Sequence, residues 1–144
     1  MRRIFSVFVL FMVFTITACT EGAVPTLDTI DHHLHRDDVQ YVELREWVEV
    51  AEHGMIDGFE VIPFYGVIVD SGYLMIPRDG RFHPSNIVNE SAIRNLFDAD
   101  KTIYLICRTG NRTTFMTEVL THLGYDVVNL GGIVDYHGDN LIFP

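Results

Sequence analysis

The stretch formed by residues 101–123 limits the possible folds more than any other part of the chain. Its first six residues, Lys-Thr-Ile-Tyr-Leu-Ile, are mostly apolar or β-branched, as is typical of a buried strand in a parallel sheet. A short loop then leads to residues 112–123, whose apolar side chains recur every three or four positions. A strand, a short loop and an amphipathic helix in direct succession predict one unit of an α/β fold.

Further strands and helices are predicted to alternate along the chain. The predicted strands are residues 39–44, 59–62 and 126–130, the predicted helices are residues 45–53 and 89–97, and residues 67–76 fit either a hairpin or a helix. In the first helix, Trp47, Val50 and Ala51 are expected to face the core. This alternation predicts a mostly parallel central sheet flanked by helices, in which ligands bind beyond the carboxyl ends of the strands.

The amino terminus has the pattern of an export signal. Arg2 and Arg3 precede a short apolar run, which is shorter than the roughly 20 residues that a membrane-spanning helix needs. The run ends in Ile-Thr-Ala followed by Cys19, which resembles the lipobox of bacterial lipoproteins, where the cysteine becomes the lipidated first residue. We therefore interpret residues 1–18 as a lipoprotein signal peptide and Cys19 as the lipidation site, with an ordinary secretory signal as the alternative.

This interpretation predicts the domain organisation and the location of the protein. Residues 19–29 are expected to form a tether and residues 30–144 a single domain. The protein is expected to be exported and attached to a bacterial membrane through lipid on Cys19. Because the chain has only two cysteines, lipidation would leave Cys107 as its one free thiol, and no intramolecular disulfide could form.

Charge and composition exclude several classes of protein. The 144 residues include 20 acidic and 10 basic side chains, for a net charge of −10, which argues against binding nucleic acid. A hydrophobic fraction of 48% excludes a disordered chain. No cofactor is expected.

A histidine-rich tract raises the question of a metal site. His32, His33 and His35 lie close together among acidic residues, a composition found in some metal sites. The same tract fits a short helix in which Ile30 and Leu34 face the core while the histidines are solvated. No distant ligand with suitable spacing is evident, so we favour the solvated helix and expect no metal.

The loop between the strongest strand and the strongest helix carries the candidate chemistry. It contains Cys107, Arg108, Thr109, Gly110, Asn111 and Arg112. Successive backbone N–H groups in such a loop form an anion-binding concavity, and the start of the following helix adds partial positive charge. The two arginines make a local positive region on an acidic chain. A small buried cysteine at a strand end is the structural alternative, but it does not explain the paired arginines or the glycine.

The same loop resembles the active-site loop of rhodanese-like sulfurtransferases, in which a cysteine, four residues and an arginine follow one another. Three further segments are similar to that family's pattern and occur in the same order: residues 44–46, residues 54–59 with residues 62–63, and residues 129–133. The resemblance implies a rhodanese-like three-layer α/β fold. The chain departs from the pattern at Glu43, Met55 and Tyr136, where the family usually has Asp, His and Trp. Residues 64–85 form a longer connection than usual, which fits either a cover that selects the substrate or a plain surface insertion.

The resemblance also implies an activity. Cys107 would be the nucleophile, and the other five residues of the loop would bind the substrate. Sulfane sulfur would move from thiosulfate, a persulfide or a polysulfide to a thiol or cyanide acceptor through a persulfide on Cys107. The alternatives are a sulfur carrier or protein-binding module without catalysis, and an oxyanion enzyme such as a phosphatase or arsenate reductase. Oxyanion enzymes of that design usually have five residues between the cysteine and the arginine, and this chain has four.

Overall fold

The computed structural model describes residues 24–144. The signal peptide predicted for residues 1–18 and the lipidation site predicted at Cys19 lie outside these residues. Within residues 24–144, no helix is long and apolar enough to cross a membrane.

Four parallel strands form the central sheet, as the alternating pattern predicts. Along residues 24–144 the strands are β1 (Val39–Glu43), β2 (Met55–Ile56), β3 (Glu60–Val61), β4 (Thr102–Cys107), β5 (Val127–Gly132) and β6 (Leu141–Ile142). The order in the central sheet is β3-β1-β4-β5, and β2 pairs with β6 in a separate antiparallel ribbon. Strand β4 lies between β1 and β5, and core clusters cover both faces of the sheet, so its side chains are buried on both sides, as its nearly continuous apolar sequence predicts.

Three α-helices connect the strands in the described part of the chain. They are α1 (Trp47–His53), α2 (Glu90–Arg94) and α3 (Asn111–His122). Three short 3-10 turns, Ile30–His33, Pro84–Asn86 and Ile133–Asp135, and one π-helical turn, Phe64–Val69, complete the structure. Helix α2 is shorter than expected, although the Asn89 side chain caps its start by accepting a hydrogen bond from the N–H of Ala92.

The core consists of two clusters, one on each face of the sheet. Side chains of β4 alternate between them: Leu105 and Cys107 join the first cluster, and Tyr104 and Ile106 join the second. Helix α3 packs on the first face, and α1 with the β2–β6 ribbon packs on the second. The layered arrangement confirms the predicted fold class of helices on both sides of a mostly parallel sheet.

The inner face of α1 differs from the expectation. Val50 is fully buried, but Trp47 is 58% exposed and Ala51 is also exposed. The start of the helix is set by a capping box, in which the Glu46 side chain accepts from the N–H of Glu49 while the Glu49 side chain accepts from the N–H of Glu46. This start places Trp47 in the solvent-facing part of the first turn.

Within the connection formed by residues 64–88, residues 67–76 form neither the predicted hairpin nor a regular α-helix. The π-helical turn Phe64–Val69 comes first, and a single antiparallel bridge between Leu74 and Ile87 closes the segment. Phe64, Ile68 and Leu74 are buried in the first cluster, so this connection contributes to the core.

The packed part of the chain begins earlier than residue 30. Leu27, within the predicted tether, is buried in the second cluster next to Ile30. The hydroxyl of Thr29 accepts a hydrogen bond from the N–H of Thr26, which closes a turn around Leu27. Residues 26–29 are therefore folded against the domain.

Candidate active site

Cys107 lies at the carboxyl end of β4, where the strand enters the loop. Its side chain is only 1% exposed, and the residue pairs with Gly132 at the end of β5. A Cβ atom at Gly132 would lie 2.6 Å from the carbonyl oxygen of Arg108. The loop can therefore cross the end of β5 only because residue 132 is a glycine.

The backbone of the loop turns toward the sulfur. Gly110 has a φ of +96°, a left-handed conformation that other residues rarely adopt, and its N–H donates to the Cys107 sulfur over 3.2 Å. The hydroxyl of Thr113 donates to the Gly110 carbonyl over 2.8 Å and lies 3.9 Å from the same sulfur. Together with a hydrogen bond from the Thr114 hydroxyl to the same carbonyl over 2.9 Å, these contacts hold Gly110 in the orientation that presents its N–H to Cys107.

Further N–H groups beside the sulfur remain free to bind an anion. Helix α3 begins at Asn111, and the N–H of Thr114 already donates to the Gly110 carbonyl. Among the described residues, no protein acceptor receives the N–H of Thr109, Asn111, Arg112 or Thr113. Free N–H groups at the start of a helix favour negative charge, so the loop is suited to a thiolate, a persulfide anion or an anionic substrate.

Arg112 is held in place by a carboxylate. Its two terminal nitrogens each lie 2.7 Å from a different oxygen of Glu49, and one of them also donates to the Leu44 carbonyl over 3.2 Å. Its guanidinium carbon lies 5.5 Å from the centre of the Tyr65 ring. The hydrogen bonds from Arg112 lower the pKa of Glu49 below its ordinary value, and those to Glu49 raise the pKa of Arg112. The charge of Arg112 is therefore largely neutralised by Glu49, and its contacts tie α3 to β1 and α1.

The other loop side chains point outward. Arg108, Thr109 and Asn111 are exposed. Among the described residues, the guanidinium of Arg108 makes no ion pair with a carboxylate, so its positive charge remains available to an incoming anion. The six predicted residues thus provide a buried sulfur, a backbone N–H that donates to it, one anchored arginine and one arginine without an ion pair in the described part of the chain.

A buried ion pair supports the strand beside the loop. The Arg45 guanidinium lies 2.9 Å from a carboxylate oxygen of Glu43 and also donates to the Gly54 carbonyl over 2.6 Å. Both side chains are almost fully buried. Burial raises the pKa of Glu43, and the hydrogen bonds from Arg45 oppose that rise. Glu43, one of the three departures from the family pattern, therefore has a buried basic partner in this chain.

The connection formed by residues 64–85 contacts the same region. The N–H groups of Tyr65 and Gly66 donate to the two carboxylate oxygens of Glu46, over 2.9 and 3.2 Å. The ring of Phe64 packs edge-on against Phe115 in the second turn of α3. The start of this connection is thus tied to the same α1 turn that supplies Glu49 to Arg112.

Sequence reasoning missed Glu46, Glu49, Thr113 and Tyr65 as residues of this region. Glu46 and Glu49 had only a partial signal, because Glu49 fits the last position of a capping box whose first position is usually Ser or Thr rather than glutamate. Thr113 and Tyr65 had none, since nothing in their local spacing indicates contact with the loop.

Two of the three histidines in the tract face solvent. His32 and His35 are exposed, and one ring nitrogen of His35 lies 3.7 Å from a carboxylate oxygen of Asp57. Within residues 24–144, no group of three or more histidine, cysteine or acidic side chains is arranged to hold a metal ion.

Comparison with known proteins gives a family match over most of the chain. A family model for the rhodanese-like domain matches residues 26–139. A rhodanese-like domain protein from Staphylococcus aureus has a similar structure, with a TM-score of 0.57 at 23% sequence identity over 83% of this chain and 95% of that one. A protein from Staphylococcus saprophyticus subsp. saprophyticus aligns with a TM-score of 0.49 at 25% identity over 72% of this chain and 81% of that one. The search of curated proteins gave no significant match.

Proposed function

Because the chain belongs to the rhodanese-like domain family, we propose that it is a sulfurtransferase acting through a persulfide on Cys107. The rhodanese-like fold is one that sulfurtransferases and sulfur carriers share. The proposed donor is thiosulfate, a persulfide or a polysulfide, and the proposed acceptor is a thiol or cyanide.

The observation that carries this proposal is the N–H of Gly110, which lies 3.2 Å from the Cys107 sulfur. A backbone N–H at this distance stabilises negative charge on the sulfur without any change in protonation of a side chain. The free N–H groups of the first turn of α3 extend the same stabilisation to a second sulfur atom bound to the first. A nucleophilic thiolate and a terminal persulfide anion both need this environment.

The first half-reaction loads the enzyme. The Cys107 thiolate attacks the outer sulfur of thiosulfate, a bond forms between the two sulfur atoms, and the sulfur–sulfur bond of thiosulfate breaks. The electron pair of the broken bond leaves with sulfite, and Cys107 becomes a persulfide anion. Arg108, exposed and without an ion pair in the described part of the chain, attracts the anionic donor. Arg112 holds the loop through Glu49, and the backbone of Thr109, Gly110 and Asn111 surrounds the transferred sulfur.

The second half-reaction transfers the sulfur from the Cys107 persulfide to the acceptor. An acceptor thiolate or cyanide attacks the terminal sulfur of the persulfide and forms a new bond to it. The bond between that sulfur and the Cys107 sulfur breaks, and its electron pair returns to Cys107 as a thiolate. Each half-reaction is complete before the other begins, which predicts ping-pong kinetics.

The intact mass of the protein tests this proposal directly. After incubation with thiosulfate, a persulfide or a polysulfide, the wild-type protein should gain the mass of one sulfur atom, and cyanide or a thiol should remove it. The Cys107→Ser variant should gain none. Failure of all three donors to load the wild type would overturn the sulfurtransferase proposal. Loading without discharge to any acceptor would instead indicate a sulfur carrier.

We also propose that the mature protein begins at a lipidated Cys19 and is held at a bacterial membrane. The support is the order of basic residues, apolar run and lipobox-like residues before Cys19. Expression of the full chain in bacteria fed a labelled fatty acid should label the wild type and not the Cys19→Ser variant. Equal labelling of both would contradict the anchor, and cleavage without labelling would indicate an ordinary secretory signal.

A further inference from the structure

A cavity of about 340 Å³ lies beside the loop, next to Arg108. It is bordered by three basic side chains, Arg45, His53 and Arg108, and by apolar side chains that include Val134 and Leu141. The Cys107 side chain packs in the first core cluster, whereas Ile133 and Tyr136 on the cavity wall pack against the second. The cavity is therefore next to the sulfur site but on the other side of the sheet edge.

The charged side chains on the wall of this cavity are basic, although two carboxylates adjoin them: Glu43 pairs with Arg45, and Asp31 accepts a hydrogen bond from the hydroxyl of Tyr136. No aspartate or glutamate contributes to its wall, although acidic residues outnumber basic ones two to one in the sequence. Among the described residues, Arg108 has no carboxylate partner, and the nearest carboxylate to His53 is that of Glu52 at 3.9 Å. Such a wall selects a ligand with a negative group.

The buried side of the cavity contains an unsatisfied donor. Within residues 24–144, only two buried side-chain polar atoms lack a hydrogen-bond partner, and one is the Nε of Arg45. An arginine that is 1% exposed and incompletely hydrogen-bonded carries a cost that its ion pair with Glu43 only partly offsets. A negative charge in the cavity would act on this guanidinium through space, because the Nε atom itself is not exposed.

The position of the cavity links it to sulfur transfer. Cys107 and Gly132 are partners at the end of the sheet, and the cavity wall is built from the residues that directly follow each of them, Arg108 on one side and Ile133 and Val134 on the other. The N–H of Val134 donates to the Arg108 carbonyl over 3.3 Å, which closes the wall. The cavity and the sulfur site therefore adjoin at Arg108, the residue directly after Cys107.

We propose that this cavity binds the carboxylate of a small thiol acceptor, so that the protein prefers thiols carrying a carboxylate over neutral ones. This inference rests on the proposed sulfur transfer. The acceptor carboxylate lies near Arg108 and His53, its methylene groups contact Val134 and Leu141, and its thiolate attacks the terminal sulfur on Cys107. The new bond joins the acceptor sulfur to the transferred sulfur, and the electron pair of the broken bond returns to Cys107.

Discharge of the sulfur-loaded protein by two thiols of equal length tests the proposal. The probes are 3-mercaptopropionate and 3-mercaptopropan-1-ol, and the quantity measured is the ratio of their second-order rate constants. The Val134→Trp variant, which fills the cavity, and the His53→Gln variant should lower this ratio, Val134→Trp by about tenfold, equivalent to about 1.4 kcal/mol. The intrinsic reactivities of the two thiols cancel when the ratios of variant and wild type are compared.

Val88→Trp is the matched control, because Val88 is 63% exposed, close to the 55% of Val134, and lies outside the cavity wall. Its ratio should equal that of the wild type. Equal ratios in wild type, Val134→Trp and His53→Gln would overturn the proposal, whichever thiol reacts faster. His53→Gln keeps the test valid if Val134→Trp does not fold.

Binding without reaction separates this inference from the proposed function. In the Cys107→Ser variant, butyrate should shift the imidazole NMR signals of His53 in a saturable way, and butan-1-ol should not. Adding Val134→Trp should abolish the shift. If no donor loads Cys107 but butyrate binds in this manner, sulfur transfer fails and the anion site stands. If Cys107 loads but butyrate does not bind, the anion site fails and sulfur transfer stands.

Discussion

Glu49 and Arg112 form a bidentate ion pair that joins the first turn of α1 to the first turn of α3. Both nitrogen–oxygen distances are 2.7 Å. The two side chains are only 17% and 15% exposed. The same Glu49 carboxylate closes the capping box of α1, and Arg112 also donates to the Leu44 carbonyl at the end of β1. One carboxylate therefore fixes the relative positions of three elements around the loop.

Replacing Glu49 with glutamine should weaken both the fold and the site. Glutamine has nearly the same shape but carries no charge and offers one acceptor oxygen, so Arg112 would lose one of its two charged hydrogen bonds. We expect the free energy of unfolding to fall by about 2 kcal/mol, the typical value of a hydrogen bond to a charged group. Sulfur loading from thiosulfate should slow by at least about tenfold, because small displacements in an active site reduce rates strongly. Urea unfolding and timed mass spectrometry measure the two effects.

Glu118→Gln is the control for this substitution. Glu118 is exposed on the same helix α3 and, among the described residues, forms no ion pair. This variant should match the wild type in stability and in loading rate. A Glu49→Gln protein that loads sulfur at the wild-type rate would contradict the positioning role of the ion pair.

The same ion pair should make stability depend on pH. The hydrogen bonds from Arg112 hold the pKa of Glu49 below its ordinary value of 4.5, so the folded state releases this proton more readily than the unfolded state. The stabilisation is therefore complete above about pH 4.5 and is lost as the pH falls through the lower pKa of the folded state. The difference in free energy of unfolding between wild type and Glu49→Gln should shrink between about pH 7 and about pH 3.5.

Comparing the two proteins removes the contribution of the other acidic groups. Burial raises the pKa of Glu43, which by itself makes the fold less stable as the pH rises above the ordinary value of that group. Because Glu43 is present in both proteins, its effect cancels in the difference to the extent that the two sites are independent. A stability difference that stays constant with pH would show that the charge of Glu49 does not contribute.

Elements with strong local patterns could be predicted from the sequence. The predicted strand at residues 101–106 is observed as Thr102–Cys107, and the predicted helix at residues 112–123 is observed as Asn111–His122. Both have long apolar patterns with clear ends, and Gly124 adopts a positive φ of 89° just after the helix. The parallel direction of the strands followed from the alternation of strands and helices, whereas their order in the sheet was not predicted.

Elements that depend on distant contacts could not be predicted. Strand β2 exists because Met55 pairs with Ile142 near the end of the chain, a contact that no local pattern indicates. The π-helical turn begins where Tyr65 and Gly66 donate to Glu46, about twenty residues earlier in the sequence. The prediction that Trp47 and Ala51 face the core was wrong for a related reason, since the spacing of three apolar residues does not determine how a short helix meets the core.

The candidate site also contains local features that the sequence predicts and distant contacts that it does not. Six consecutive residues and their place between strand and helix identified the loop, because its properties are those of a local backbone turn. The partner of Arg112 was not identifiable, since 20 acidic residues are available in the sequence and the choice of Glu49 depends on how the first turn of α1 is positioned relative to the first turn of α3. Thr113 was missed because its contact with Gly110 depends on the left-handed conformation of that glycine.

Gly110→Ala should impair sulfur loading through backbone strain alone. A Cβ atom at this position would be no closer than 3.8 Å to its nearest neighbour, Gly131, so no steric clash results. The left-handed conformation is nevertheless unfavourable for alanine by about 1–2 kcal/mol. Relaxation of that strain would rotate the Gly110 N–H away from the Cys107 sulfur. We expect lower stability and slower loading, measured by urea unfolding and by the rate of mass gain with thiosulfate.

Gly72→Ala separates strain from the loss of the sulfur contact. Gly72 also has a positive φ of 75°, and a Cβ atom there would meet nothing within 4 Å. Its variant should lose a similar amount of stability but load sulfur at the wild-type rate. Equal loading rates for the two alanine variants would mean that the Gly110 N–H does not contribute to persulfide formation.

Two threonines of α3 provide a second matched comparison. Thr113 is fully buried, and its hydroxyl donates to the Gly110 carbonyl over 2.8 Å. Valine has nearly the same shape without the hydroxyl, so Thr113→Val should remove this hydrogen bond and destabilise the protein by about 1 kcal/mol. The loop should also become more mobile, which slows sulfur loading and speeds hydrogen exchange of the Gly110 N–H. The hydroxyl of Thr117, one turn further along, is buried and has no hydrogen-bond partner.

Thr117→Val should therefore have the opposite effect on stability. Removing a buried hydroxyl without a partner relieves a desolvation cost, so the variant should be as stable as the wild type or more stable by about 1 kcal/mol. Its loading rate should not change, because Thr117 makes no contact with the loop through its hydroxyl. Urea unfolding measures the stability of both variants, and mass gain with thiosulfate measures their loading rates. If Thr113→Val and Thr117→Val behaved alike in both measurements, the hydrogen bond to the Gly110 carbonyl would not be what holds the loop around Cys107.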